Sequence, residues 1–304
     1  MDIRRFQPDN PTIAAIRKVY GPDAQLVSNG PHAFDWKIRK GQQLGNVDFN
    51  SVFKALHGPR FRAATFGAAR EDWYAIDFDS GRHEILPIII VANEMFGHIG
   101  QVQLAKDNFK ANIGLAQAWY RAKLGRTFAV VNEVMTIQSR SSGDQWNAWA
   151  HRTSLPDPVP PPKIPNRDVL LREQQGTLER AFGRRVETPS SIVCVGVYTG
   201  KGLNASGFGA INDFVGGHFS TQAPLMTEFH GPAYKDTEHL NIAATYSIVH
   251  ELGHAFGLPH PDTRPDPKDP LSAYSIMGNP TNFFDKAILL DAEKNELIRS
   301  PFIR

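Results

Sequence analysis

Five residues near the C-terminal end constrain this chain more than anything else in it: His250, Glu251, His254, Gly257 and His260, within the run His250-Glu-Leu-Gly-His254-Ala-Phe-Gly257-Leu-Pro-His260. Histidines four positions apart lie one turn above the other on the same face of a helix. So placed, both imidazoles can reach one metal ion at about 2.0–2.1 Å. Ile248, Val249, Leu252, Ala255 and Phe256 supply the apolar side chains that would anchor this helix in a core. Glu251 falls beside the ligand pair, where its carboxylate can meet a water on the metal without ligating. Gly257 permits the left-handed backbone that ends a helix abruptly and turns His260 back as a third ligand. Three neutral imidazoles leave the fourth position of a tetrahedral zinc open, which marks a catalytic site and not a structural one. With 11 His and 25 Gly in 304 residues, these five positions coincide by chance in roughly one chain in 20,000. Histidines used only for packing and capping are therefore the weaker reading.

The texture of the chain changes near residue 84. In residues 1–84 short alternating stretches (32–38, 46–53 and 73–78) are separated by Gly, Pro and Asn, which predicts a β-rich extension with one helical turn near 51–56. From Ile85 the signals strengthen. Residues 85–92 read as a strand buried on both faces. A long helix follows, with apolar residues at Val102, Ala105, Phe109, Ile113, Ala116 and Tyr120 and a stop at Gly125. Residues 127–137 read as a second strand, and the strand–helix–strand order favours a parallel crossover. The Pro-rich stretch 155–165 is read as an excursion within one domain, 85–304. Asn166 is expected to cap a helix to Phe182, residues 191–198 to form another buried strand, and Asp291 to cap a last helix before Pro301.

Composition removes several classes of function. Thirty-three Lys and Arg against 31 Asp and Glu leave a net charge of +2, so bulk charge argues for neither nucleic acid nor a membrane surface as partner. The longest apolar run, 85–92, is far shorter than the about 20 residues that span a bilayer. One cysteine, Cys194, excludes an intramolecular disulfide and a Cys-rich metal site, and its apolar neighbours predict a buried small hydrophobe. The first thirty residues hold no apolar segment of the kind a secretory signal needs. The chain as written is expected in the cytoplasm; one whose leader had been removed ahead of Met1 would be secreted.

The run 250–260, together with Tyr274-Ser-Ile-Met277-Gly278, resembles the metzincin clan of zinc metalloproteases, whose signature is His-Glu-x-x-His-x-x-Gly-x-x-His followed by a Met-turn. The resemblance covers about residues 85–304, although its specific part is only 250–277. It implies an α+β catalytic domain with a twisted mixed sheet, a long backing helix, a zinc-binding active-site helix, a Met-turn and a C-terminal helix. It implies one catalytic Zn2+ on His250, His254 and His260, with Glu251 as general base. Met277 would form an apolar floor beneath the imidazoles, and residues from Gly278 onward would line the pocket for the side chain after the scissile bond. The implied activity is that of a zinc endopeptidase, a monomer holding a protein or peptide substrate in extended form against an edge strand. The Gly-rich residues 205–222 are the candidates for that rim.

This sequence also departs from the clan. Asn279 stands where some subfamilies place a Tyr two residues after the Met, with Tyr274 or Tyr246 as other sources of a hydroxyl. The absence of Cys from residues 1–84 rules out a cysteine-switch propeptide. Two other readings of the same site remain: a zinc amidase acting on a non-protein or modified amide, and a silent binding protein on a protease scaffold. His218, His230 and His239 read as surface or packing residues. Asp262, Asp266 and Asp269 are most simply a solvated loop, with Ca2+ as a second reading and Asp262 as a rival to His260 for the metal. Residues 1–84 are expected to be a packed, permanent region; a propeptide would instead place a carboxylate such as Asp77 or Asp79 on the zinc.

Overall fold

The computed structural model describes residues 2–66, 69–70, 72–77, 82–154, 169–182, 191–200, 208–210, 214–216, 237–261, 270–278 and 286–304. The chain opens with β1 (Asp2–Arg5), α1 (Asn10–Tyr20), β2 (Gln25–Ser28), β3 (Trp36–Lys40), β4 (Gln43–Asn46), α2 (Phe49–His57), β5 (Arg62–Thr65) and β6 (Trp73–Asp77). Six of these eight elements are strands; α1 has no counterpart in the sequence expectations, and the helical turn expected near 51–56 is part of α2. Asp9 accepts a hydrogen bond from the Thr12 N–H at 3.0 Å and caps α1, which carries a proline in its first turn and ends at Gly21. Asp48 caps α2 through the Ser51 N–H, so most of the 46–53 stretch is helical and not extended. The strands form two antiparallel sheets, β2-β3-β4 and β1-β6-β5.

The rest of the described chain builds one larger sheet. Its strands are β7 (Glu84–Val91), β8 (Ala129–Val130), β9 (Met135–Gln138), β10 (Ser191–Tyr198), β11 (Phe208–Ala210) and β12 (Phe214–Gly216), in the order β11-β12-β10-β7-β8. β7 and β10 run parallel over all eight residues. The single strand expected over 127–137 is two short ones, β8 pairing with Glu84–Ile85 and β9 with Ile88–Val91, both parallel to β7. The break between them falls at 131–134, where Glu133 leaves the strand line and accepts the Tyr74 hydroxyl at 2.8 Å. β12 is parallel to β10, and β11 is an antiparallel edge strand.

The helices are α3 (Ile99–Leu124), α4 (Gly143–Ser154), α5 (Val169–Phe182), α6 (Thr237–Ala255) and α7 (Asp291–Arg299), giving seven α-helices and a mixed α+β architecture among the described residues. α3 stops where Gly125 takes a φ of +70°. α4 has no counterpart in the sequence expectations. The N-cap position of α7 is Leu290, one residue before the Asp291 expected there; its side chain makes no cap, and its N–H is taken by the Glu293 carboxylate. The Pro-rich stretch 155–165 and Asn166 lie outside the described residues. Among the described residues no helix is long and apolar enough to cross a membrane.

Because side chains alternate along a strand, β7 and β10 divide the core into two faces. Ile85, Ile89, Val91, Ile192, Cys194 and Tyr198 point toward α3 and α6, and Cys194 is a fully buried free thiol. Leu86, Ile88, Ile90, Val193, Val195 and Val197 point the other way, toward Trp146 of α4 and Leu178 and Phe182 of α5. Ala64, Phe66, Tyr74 and Ile76 from the N-terminal part join this second face. The N-terminal sheet is thus packed into the main core, on the face away from α6. A third cluster, built on Phe6, Ile16, Trp36, Phe49 and Phe53, belongs to the N-terminal part alone.

Candidate metal centre

α6 is held by its apolar side, with Ile248, Val249, Leu252 and Ala255 at 0–2% exposure, against α3. Two polar contacts fix its register on that helix. The Thr245 hydroxyl donates to Asn112 Oδ1 at 3.2 Å, and the buried Tyr120 hydroxyl donates to the Val249 carbonyl at 2.8 Å. That carbonyl belongs to the peptide unit that carries His250, so Tyr120 clamps the backbone of the first histidine. Phe128 and Phe256 pack edge-on and tilted around the same ring cluster. Tyr120→Phe removes the donor while the carbonyl keeps its helical partner, so the expected cost is about 1 kcal/mol of stability, read from the midpoint of denaturant unfolding at unchanged slope.

The three histidines converge as their spacing predicts. His260 Nε2 lies 3.2 Å from His250 Nε2 and 2.9 Å from His254 Nε2. The three ligand atoms all fall within 4.8 Å of one another. Nitrogens bound to one tetrahedral ion at 2.0–2.1 Å stand roughly 3.4 Å apart, within a few tenths of an ångström of both distances. Gly257 supplies the exit that makes this closure feasible. It adopts a φ of +109°, and the Leu258 N–H returns to the Gly253 carbonyl at 2.9 Å, ending the helix before His260.

Hydrogen bonds on the far side of two rings assign their tautomers. His250 Nδ1 sits 2.7 Å from the Ile276 carbonyl and His254 Nδ1 sits 2.7 Å from the Leu258 carbonyl. A carbonyl only accepts, so each Nδ1 carries the proton and each Nε2 presents a lone pair. His260 can place at most one proton between two such lone pairs, which leaves a lone pair that a cation could fill. Burial lowers the His250 pKa to about 4 and, with His260 close by, lowers that of His254, so both rings are neutral as a metal requires. His250 also has the Tyr246 hydroxyl 3.4 Å from its Nδ1. Tyr246 therefore stands behind the ring, on the side away from the converging Nε2 atoms.

Glu251 is 8% exposed, and its Oε2 is a buried oxygen without a hydrogen-bond partner. Burial raises its pKa to about 8. An orphaned buried carboxylate oxygen on the residue that follows the first of three converging histidines fits a site that takes a dication and a water.

The Met277 turn meets α6 between the two helical ligands. Met277 is fully buried, and a Cβ at Gly253 would overlap its sulfur. Gly253, which the sequence reading passed over, is thus required by a neighbour from a distant segment. Gly253→Ala is expected to cost about 1–3 kcal/mol through overpacking, and Met277→Ala in the same chain should return part of it, as a thermal-melt double-mutant cycle would show. The turn itself hangs on a buried relay. Ser275 Oγ donates to Glu293 Oε1 at 2.5 Å and accepts the Met277 N–H at 3.0 Å, while Glu293 Oε2 accepts the Leu290 N–H at 2.8 Å. The same turn offers the Ile276 carbonyl to His250, so α7 reaches the first histidine through two residues.

Other expected site residues fall elsewhere. Tyr274 is 46% exposed. Asp77, at the end of β6 in the N-terminal sheet, is buried and pairs with Arg60 at 3.0 Å, and the group that could hold a metal consists of His250, His254 and His260 without it. Its ion pair, packed in the N-terminal sheet, accounts for its burial without a metal. Asp79, Asp262, Asp266, Asp269, Asn279, His218 and His230 lie outside the described residues, and of the 205–222 region only β11 and β12 are described. His239 falls in the first turn of α6. Compared with known proteins, the chain matches no family model and no curated sequence.

Proposed function

We propose that this chain is a zinc-dependent endopeptidase built on the metzincin plan, with Zn2+ on His250, His254 and His260. The observation that carries the reading is the pair of Nδ1–carbonyl hydrogen bonds, which leave two Nε2 lone pairs facing His260 beside the orphaned Glu251 Oε2. The order of elements supports it: a parallel pair backed by α3, an antiparallel edge strand β11, the histidine helix α6, the turn at Met277 and the closing α7.

When bound, zinc supplies Lewis-acid polarisation of a carbonyl and lowers the pKa of water in its open position toward about 7. The chain's own residues do the rest. Glu251 Oε2, whose ionised form a cation beside it would favour, accepts a proton from the attacking water and delivers it to the nitrogen of the leaving amine. His250 and His254 stay neutral and fixed because the Ile276 and Leu258 carbonyls hold their Nδ1 protons. Among the described residues β11 is an edge strand of the main sheet, where an extended substrate would add as a further strand.

Elemental analysis of protein purified without added metal tests the site. One zinc per chain is expected in the wild type and less than a tenth of that in His260→Ala. A folded wild type that holds no zinc and refuses added zinc would overturn the reading. Incubation with a panel of unfolded proteins then tests the substrate class, with cleavage of at least one at defined positions expected.

A further inference from the structure

A second concave site lies on the opposite side of the main sheet. A cavity of about 580 Å³ opens between α2, β5 and the last turn of α5, a size within the range of small-molecule pockets. Its floor is aromatic. The rings of Phe49 and Trp73 stack at 4.2 Å and 21°, and the Trp73 indole N–H is fixed by the Ala33 carbonyl at 2.7 Å. Phe34 packs edge-on against Trp73 at 5.7 Å yet remains 70% exposed. A large ring held out at a pocket mouth by neighbouring structure is apolar surface that a ligand would cover.

The rest of the lining is cationic. Lys54, Arg62 and Arg180 border the cavity, and the one carboxylate among the lining residues, Asp48, is occupied by the Ser51 N–H and hydroxyl at 3.2 and 2.6 Å. Arg62 donates to the Pro59 and Phe61 carbonyls and Arg180 to the Thr177 hydroxyl, all neutral partners. Among the described residues no carboxylate pairs with any of the three cations. Lys54 also acts on Asp48, helping to lower its pKa, yet three cations against one carboxylate leave the border net positive. An aromatic floor with such a border selects a flat apolar body bearing a negative group.

We propose that this cavity binds an aromatic carboxylate, with the ring over Trp73 and Phe34 and the carboxylate on Lys54 and Arg180. The proposal does not depend on the metal site, which is on the other face of the sheet. The source is either a free aromatic acid or the carboxyl end of a peptide finishing in an aromatic residue. Calorimetric titration of the full chain with 2-naphthoate, N-acetylphenylalanine and the neutral 2-naphthalenemethanol separates these cases. At least one carboxylate is expected to bind tenfold or more tighter than the neutral alcohol, and the tighter of the two identifies the source. Lys54 and Arg180 are exposed, so the double variant Lys54→Ala/Arg180→Ala keeps its core; it should bind that carboxylate at least tenfold more weakly. Phe34→Ala should weaken it severalfold. Equal binding of acid and alcohol, or a double variant that binds the acid as the wild type does, would overturn the proposal.

Discussion

Glu251→Gln is expected to retain one zinc per chain and to lose roughly 10²–10⁴-fold in the rate of peptide hydrolysis. The amide keeps the size and shape of the carboxyl but has no lone pair basic enough to take a proton at neutral pH. Stability should not fall. Burial raises the Glu251 carboxyl pKa to about 8, so in the metal-free protein the group is mostly the neutral acid, and the amide replaces it without a change of charge. The three measurements are zinc stoichiometry, unfolding midpoint and turnover of whichever unfolded protein the wild type cleaves. Zinc and midpoint at wild-type values with turnover lost would isolate the carboxylate as the proton carrier. Turnover within tenfold of the wild type would remove Glu251 from that role while leaving the three-histidine site intact.

The contrast between what was and was not legible in the sequence follows from distance along the chain. His250, His254, Gly257 and His260 were readable because a helical turn and one positive-φ glycine fix their geometry locally. Gly253 lies inside the same motif, yet its requirement comes from the Met277 sulfur and cannot be read from α6 alone. Tyr120 reads as one apolar position in a long helix; its partner carbonyl is 129 residues away. Glu293 reads as an ordinary first-turn carboxylate, and its bond to Ser275 spans 18 residues. The buried strands at 84–91 and 191–198 were plain because both faces are covered and the run is unbroken. By contrast α1 is marked locally only by its start, Asp9 followed by Pro11, with no long apolar period behind it. α4 gave only a weak pattern, with Trp146 and Ala150 the fully buried apolar side chains among its described residues, too few to mark a helix. Its tertiary environment supplies the rest, including the Trp146 indole N–H on the Ser139 hydroxyl at 3.0 Å.

Removal of residues 1–81 is expected to leave a chain that no longer folds cooperatively, and not an activated enzyme. A propeptide that plugs a cleft can be lost without exposing the core of the domain that it inhibits. Here Ala64, Phe66, Tyr74 and Ile76, at 0–4% exposure, pack with Leu86, Ile88 and Ile90 of β7 and with Phe182 of α5. Phe66 meets Phe182 ring to edge at 5.6 Å, and the Tyr74 hydroxyl donates to Glu133 at 2.8 Å. Deleting the N-terminal sheet strips apolar cover from one face of β7 and leaves Glu133 without its donor. At about 1.5–3 kcal/mol for each large apolar side chain returned to water, the loss is on the order of 10 kcal/mol, comparable to the whole stability of about 5–15 kcal/mol for a folded domain. The experiment compares the full chain with residues 82–304 for solubility, thermal unfolding and zinc content. Aggregation, or a melt without a cooperative transition, is the expected result for the shorter chain. A soluble 82–304 fragment that melts cooperatively, holds zinc and cleaves substrate faster than the full chain would show that the N-terminal region restrains the site and does not complete its core.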